Sequence, residues 1–329
     1  MPDQLQLRGG TTSEHSSFTG AAREVTVDTT KKTLVVHDGS QAGGTPLMRE
    51  SGGGVNATIN SVNIGKGTNS VAGNTVLGET ALDAAVSGGN NTAIGKNSLT
   101  ALTSGQNNVA IGKGSGEDMT SGQNNVLIGS DTGRDLTTGL RNTFLGFSAG
   151  YVQTTADDNV GIGSNALEQN TTGTKNVAVG ASALDANTTA NNNTGIGFNS
   201  LTATTTGSDN TALGSQSLET NSTGINNVAI GVQALEANTT ASQNTAVGTF
   251  ALTTNTTGQD NTAVGMDAMK LNTTGKQNVA MGQNSLEENT TADNNTAIGY
   301  EALKVNTTGS ANVAVGKDAL LTNTTGVQN

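Results

Sequence analysis

The stretch Asn261-Thr262-Ala263-Val264-Gly265-Met266-Asp267-Ala268-Met269-Lys270-Leu271-Asn272-Thr273-Thr274-Gly275-Lys276-Gln277 decides the fold, because at Asn278 its pattern begins again. Glycine stands at 78, 95, 112, 129, 146, 163, 180, 197, 214, 231, 248, 265, 282, 299 and 316, so fifteen units follow one another in steps of 17. Four residues before each of these glycines is Asn, from Asn74 to Asn312. Thr or Val comes next, then usually Ala, then Ile, Leu, Val or Met. After the glycine (position 0), +3 and +4 are usually Ala or Ser and then Leu, and +7 to +10 usually read like Asn255-Thr256-Thr257-Gly258.

Each part of the unit has a physical reading. The run from Asn to Gly predicts a strand of four to five residues, with β-branched side chains on one side and Ala on the other. The glycine permits a sharp bend, and Leu at +4 returns an apolar contact. Asn-Thr-Thr-Gly predicts a turn, with Asn and Gly in left-handed conformations. Charged and variable residues gather at +1, +2, +5, +6, +11 and +12, which reads as the solvent face. A period without drift predicts one coil per unit, each touching only its neighbours. Seventeen residues are too few for a helical repeat, and the Thr and Gly content opposes helix. Coils roughly 4.8 Å apart make a rod on the order of 70 Å long. Stacked Asn side chains are expected to bond coil to coil. One Ile and one Leu per turn is a thin core, so the Ala faces are expected to pack against identical chains in a homotrimer. In this register Ile230→Asp should disrupt the trimer, Glu236→Lys should be nearly silent, and an insertion at Gly258-Gln259 should be tolerated. The array resembles the head repeats of trimeric autotransporter adhesins and the shafts of phage fibres with related units.

Composition agrees with a repetitive fibre. Aromatic residues are 2% and charged residues 12% of 329, too few for a conventional large core and too few charges for ordinary disorder. Two prolines exclude collagen. The net charge of −11 disfavours nucleic acid as a partner. No run of about 20 apolar residues predicts a membrane-spanning helix, so no membrane insertion is expected. Without cysteine there is no disulfide framework.

All forty Asn lie after residue 50, whereas both His and both Pro lie before it. This marks residues 1–50 as a different module, followed by the glycine cluster Ser51-Gly52-Gly53-Gly54 and an irregular start around Gly65. Glu24–Asp28 and Thr33–Gly39 read as a β-hairpin across a turn at Thr29–Lys32. Leu5-Gln6-Leu7-Arg8 reads as a further strand that Gly9-Gly10 ends. Leu5–Thr12, Phe18-Thr19-Gly20, Val25–Thr29 and Lys32–Gly39 resemble the N-terminal attachment module of tailed-phage fibres and tropism determinants. The resemblance implies a trimeric β-rich foot that docks to a virion.

Nothing in the residues points to catalysis, a cofactor or a metal. His15 falls in a polar loop and His37 at a strand end, without metal or triad spacing. Glu117-Asp118, Asp157-Asp158 and Glu287-Glu288 fall at variable turn positions rather than in a pocket. Asp is not laddered as a calcium-binding roll requires, and the Asn170-Thr171-Thr172 type of sequon follows from the repeat. Gly116, Gly133 and Gly150 replace Leu at +4, with Met119 and Leu136 appearing at +7, and Phe144, Phe147 and Tyr151 suggest a local aromatic cluster. Altered packing is preferred there over a ligand patch or a cap between sub-arrays.

The expected organisation is an all-β chain. Residues 1–50 form a virion-attachment domain, 51–73 a linker with an irregular first repeat, and 74–329 a trimeric β-solenoid shaft. Asn329 opens a further unit, so the array is expected to continue beyond it, with the receptor-binding tip outside these residues. The expected partners are two further copies, a tail, baseplate or capsid protein at residues 1–50, and a distal host receptor. A bacterial trimeric surface adhesin is the alternative.

Overall fold

The computed structural model describes residues 8–19, 25–30, 33–37, 45–46, 57–59 and 62–329. The foot sheet has the order β1-β2-β3-β4: β1 (Arg8–Gly10), β2 (Val25–Asp28), β3 (Thr33–Val36) and β4 (Thr45–Pro46). The expected hairpin is present, with Thr26 paired to Val35 and Val27 to Leu34. Gly9 and Gly10 pair in parallel with Val27 and Asp28, and the strand ends at Gly10. Leu5 to Leu7 lie outside the described residues. The polar stretch after β1 is a short helix, α1 (Thr12–Ser17), not a loop. Its start is a capping box. The Thr11 hydroxyl accepts from the Glu14 amide, and the Glu14 carboxylate accepts from the Thr11 amide at 2.6 Å.

The roll opens on an antiparallel hairpin. β5 (Ala57–Ile59) pairs with β6 (Val62–Gly65), and β6 pairs antiparallel with β7 (Thr75–Gly78), Ile64 opposite Leu77. The irregular start at Gly65 is therefore a reversed strand that covers the edge of the first coil. From β7 onward every neighbour is parallel and shifted by 17, through β8 (Thr92–Ile94) to β21 (Val313–Val315). A representative register is Thr211↔Val228, Ala212↔Ala229, Leu213↔Ile230. The strands from β8 on are three residues long, shorter than the run from Asn to Gly suggests.

The inside and outside of the strand are the reverse of the expectation. Ala at −2 is fully buried: Ala212, Ala229, Ala246 and Ala263 are 0% exposed, beside Leu218, Leu235 and Leu252 at +4. The flanking −3 and −1 side chains face outward, and Ile230 is 36% exposed. A period of two puts both β-branched positions on one side; the small cross-section of a 17-residue coil admits the smaller residue to the core.

Three corners per coil take left-handed backbone, and they are not at Asn-Thr-Thr-Gly. They fall at −5, +2 and +4, as at Asn192 (φ 58°), Gln233 (φ 56°) and Leu235 (φ 53°). A leucine costs about 1–2 kcal/mol there; burial at +4 holds it in place. Position 0 requires glycine outright. Gly214 has φ 146°, and a Cβ on it would lie 2.4 Å from the Gly231 carbonyl oxygen of the next coil.

The departures in the third to fifth units are exchanges of volume across the core. Phe144 occupies the −2 site normally held by Ala and is fully buried. Gly150 and Gly161 make room: a Cβ on either would lie 2.5 and 2.8 Å from the Phe144 ring. Leu127 is likewise accommodated by Gly116 and Gly133. Met119 and Leu136, at +7, are buried as well.

Candidate interaction surfaces

Two internal ladders of asparagine hold the coils in register. At −4, Asn244 Oδ1 accepts from the backbone amide and side-chain amide of Asn261 at 3.0 and 3.2 Å, while Asn244 Nδ2 donates to the Gly258 carbonyl at 2.9 Å. At +7, Asn255 donates to Asn238 Oδ1 at 3.0 Å and Asn272 donates to Asn255 Oδ1 at 2.8 Å. In both ladders the later coil donates and the earlier coil accepts. The +7 ladder runs from Gln153 to Asn323 and breaks once on the way, at Thr204. There Asn187 Oδ1 and the Thr204 hydroxyl are buried without a hydrogen-bond partner. The asparagines of the Asn-Thr-Thr sequons from Asn170 to Asn306 lie inside the roll and are not available for glycosylation. Thr at +8 ties coils from outside, as Thr256 Oγ1 donates to the Thr273 carbonyl at 3.0 Å.

The strand and the return segment enclose the core between them, so the roll presents two chemically opposite sides. The strand side carries the −3 and −1 ladders, and its +1 row holds Phe147, Phe198, Val232, Met266 and Tyr300, each 44–57% exposed, besides polar residues that include Glu79, Lys96, Lys113 and Lys317. The return side carries seven acids at +5 and three at +6, against three basic residues at these positions. Some acids are neutralised along the ladder. Glu117 meets Arg134 at 3.3 Å, Arg134 donates to the Tyr151 hydroxyl at 2.7 Å, and Glu287 meets Lys304 at 3.5 Å. Asp157 accepts from the Leu140 amide, and Asp158 pairs with Arg141 at 2.6 Å on a turn edge. Asp185 has no such partner: burial first, and then the neighbouring Glu168 charge, push its carboxyl up to about 6.

Phe144, Phe147 and Tyr151 do not form the expected aromatic cluster. Phe144 is in the core, Phe147 is on the strand side, and Tyr151 stacks under Arg134 on the return side.

The foot holds the polar cluster that the sequence did not indicate. His15 and His37 are 6% and 1% exposed and face Thr26, itself 1% exposed. The Thr26 hydroxyl lies 2.8 Å from His15 Nε2 and 2.9 Å from His37 Nε2. His15 Nδ1 lies 3.0 Å from the Thr11 carbonyl oxygen. The Phe18 ring meets His37 edge-on at 5.1 Å. Gly9, Gly10, Glu14, His15, Phe18 and Thr26 line a small hollow beside this cluster. The signal for it was the T-x-x-E capping box at Thr11–Glu14, which starts a helix and turns His15 inward. Among the described residues no cluster of three potential metal-ligating His, Cys, Asp or Glu side chains occurs, and no helix is long and apolar enough to cross a membrane.

The foot also carries the likeness to known proteins. No solved structure matches the chain. Over 49 residues it is 65% identical to the "Tail fiber receptor-binding protein" of Bordetella phage BPP-1, a stretch covering 15% of this chain and 13% of that protein. Residues 5–41 match the Major tropism determinant N-terminal domain.

Proposed function

We propose that the chain is a phage fibre protein: residues 1–50 attach it to the virion, 51–73 link, and the array from 74 onward is a stiff homotrimeric shaft for host adhesion. The tropism-determinant domain at residues 5–41 supports the virion end. The observation that carries the shaft is the two-sided roll. A face about 70 Å long and four residues wide, with an unbroken apolar row at −1 and Val or Thr at −3, offers roughly 900 Å², comparable to one partner's share of a stable interface. The acidic return side would face solvent and keep neighbouring fibres apart. Three copies around an axis cover the apolar side symmetrically. The attachment point is a tail, baseplate or capsid protein, and the host receptor is met beyond the shaft. The role is binding and mechanical, without a reaction or cofactor.

Sedimentation of the purified chain at micromolar concentration tests the shaft: a trimer is expected, and a stable monomer overturns it. Antibody to residues 1–50, imaged on intact and fibre-stripped virions, tests the attachment end. Loss of label with the fibre is expected, and a foot epitope exposed at the free tip contradicts the reading.

A further inference from the structure

With both imidazoles neutral, the His15–Thr26–His37 cluster has one arrangement of protons that satisfies its three bonds. His15 Nδ1 faces a carbonyl oxygen, that of Thr11, at 3.0 Å, so Nδ1 must carry the hydrogen. Neutral His15 then has a bare Nε2, which can only accept, and the Thr26 hydroxyl 2.8 Å away must donate to it. The single Thr26 proton is thereby committed. Thr26 Oγ1 can only accept from His37, so His37 Nε2 carries a hydrogen across 2.9 Å. The chain of donation runs from His37 through Thr26 and His15 to the Thr11 carbonyl. It joins α1 to β2 and to the end of β3.

Adding a proton to His15 breaks this order. Nε2 becomes a donor aimed at a hydroxyl that was donating to it. The Thr26 proton can then turn only to His37 Nε2, and only if His37 gives up its hydrogen there; with both imidazoles charged it finds no acceptor on either ring, in a site almost closed to water where an unmet polar group is costly. The added charge also sits 6.3 Å, ring centre to ring centre, from the stacked His37 imidazole. Among the described side chains, Glu14 is the anion beside His15. Its carboxylate lies with the His15 ring against Gly10 and is held ionised by bonds from Thr11, so it favours the incoming proton while the Thr26 geometry opposes it.

We propose that this cluster is a proton-sensitive latch, which holds α1 on the foot sheet while both imidazoles are neutral and loosens it when they take up protons. The latch goes beyond attachment to the virion and does not depend on it. Its consequence is a foot whose helix is clamped while the cluster is neutral and freed when it is charged, with the coils unaffected.

The chain has two histidines, so ¹⁵N-histidine labelling of the full-length protein reports this cluster alone. At pH 8 His15 is expected as the Nδ1–H tautomer and His37 as Nε2–H; His15 protonated at Nε2 instead overturns the proposal. As the pH is lowered until the two imidazole signals report protonation, amide exchange protection at His15 and Phe18, corrected for intrinsic rate, should fall about tenfold, the effect of one lost hydrogen bond. Unchanged protection refutes the latch. Thr26→Val keeps the shape and removes the shared hydroxyl; the pH step should vanish, with low protection throughout. A Thr26→Val foot that keeps the full pH step refutes it equally. Should that variant fail to fold, the wild-type tautomers and exchange decide the matter alone.

Discussion

The break in the +7 ladder makes a gain of stability predictable. Asn187 Oδ1 and the Thr204 hydroxyl are buried and unpartnered, while Asn221, one coil on, donates only to the Gly224 carbonyl at 3.1 Å. Thr204→Asn should complete the ladder. Its amide would donate to Asn187 Oδ1 and to the Gly207 carbonyl, and its oxygen would accept from Asn221. Intact rungs show the geometry on offer: Asn238 donates to Asn221 Oδ1 at 2.9 Å and to the Ala241 carbonyl at 3.0 Å. Satisfying a buried acceptor is worth about 1–3 kcal/mol, and each further bond about 1 kcal/mol. Ordering the new side chain costs up to about 1 kcal/mol. The net gain is about 2 kcal/mol, or roughly thirtyfold in local opening. Because each coil couples only to its neighbours, the gain should appear locally. Hydrogen exchange by mass spectrometry should show slower exchange in peptides spanning 187–224 and no change around residue 290. Thr189→Asn, at an exposed position, is the control and should do nothing. Equal or faster exchange in Thr204→Asn would show that the ladders do not carry the stability assigned to them.

Four further outcomes are expected. Asn244→Asp keeps the acceptor for Asn261 but sets a buried carboxylate against Asn227 Oδ1 and the Gly258 carbonyl. The variant should be destabilised at pH 7 by about 3 kcal/mol and should recover as the pH falls and the acid becomes a donor, read as the melting difference from wild type. Ala229→Asp should unfold the coils around it, whereas Ile230→Asp should leave the circular dichroism of the roll intact and dissociate the trimer in sedimentation. Phe144→Ala alone should cost about 3–5 kcal/mol; adding Gly150→Leu should return part of it, as a coupling in a double-mutant cycle of melting temperatures. Asp185 has its folded value raised from 3.8 to about 6, so the fold binds an extra proton between these values and loses stability as the pH rises through them. Asp185→Asn should therefore melt higher than wild type above pH 6, with the difference gone below about pH 4.

Period, strand placement, parallel stacking and the asparagine ladders were legible in the sequence, because a residue repeated every 17 positions can meet only its own copies in a coiled stack. Which side of the strand is inside was not. Alternation separates Ala229 from Val228 and Ile230 but does not say which set is buried, and the usual rule that larger apolar residues go inside gives the wrong answer for so narrow a coil. The corners were misplaced for a related reason. Asn and Gly are the expected left-handed residues, yet Leu235 takes that role because its burial outweighs its strain. In the foot, the hairpin followed from alternation, while the pairing of His15 with His37 through Thr26 joins residues 11 apart on each side and has no local signature.

The one-way donation in the asparagine ladders makes every boundary between coils head-to-tail. Cut anywhere, these two rows show side-chain amide hydrogens on the earlier face and side-chain amide oxygens on the later face, like the two poles of a magnet. Two pieces could therefore rejoin in one polarity only, and removing a whole unit would bring matching poles together without a seam. Fibre length is in this sense quantised. It can lengthen or shorten in steps of one coil, about 4.8 Å, while a loss of sixteen or eighteen residues would put every later rung out of phase.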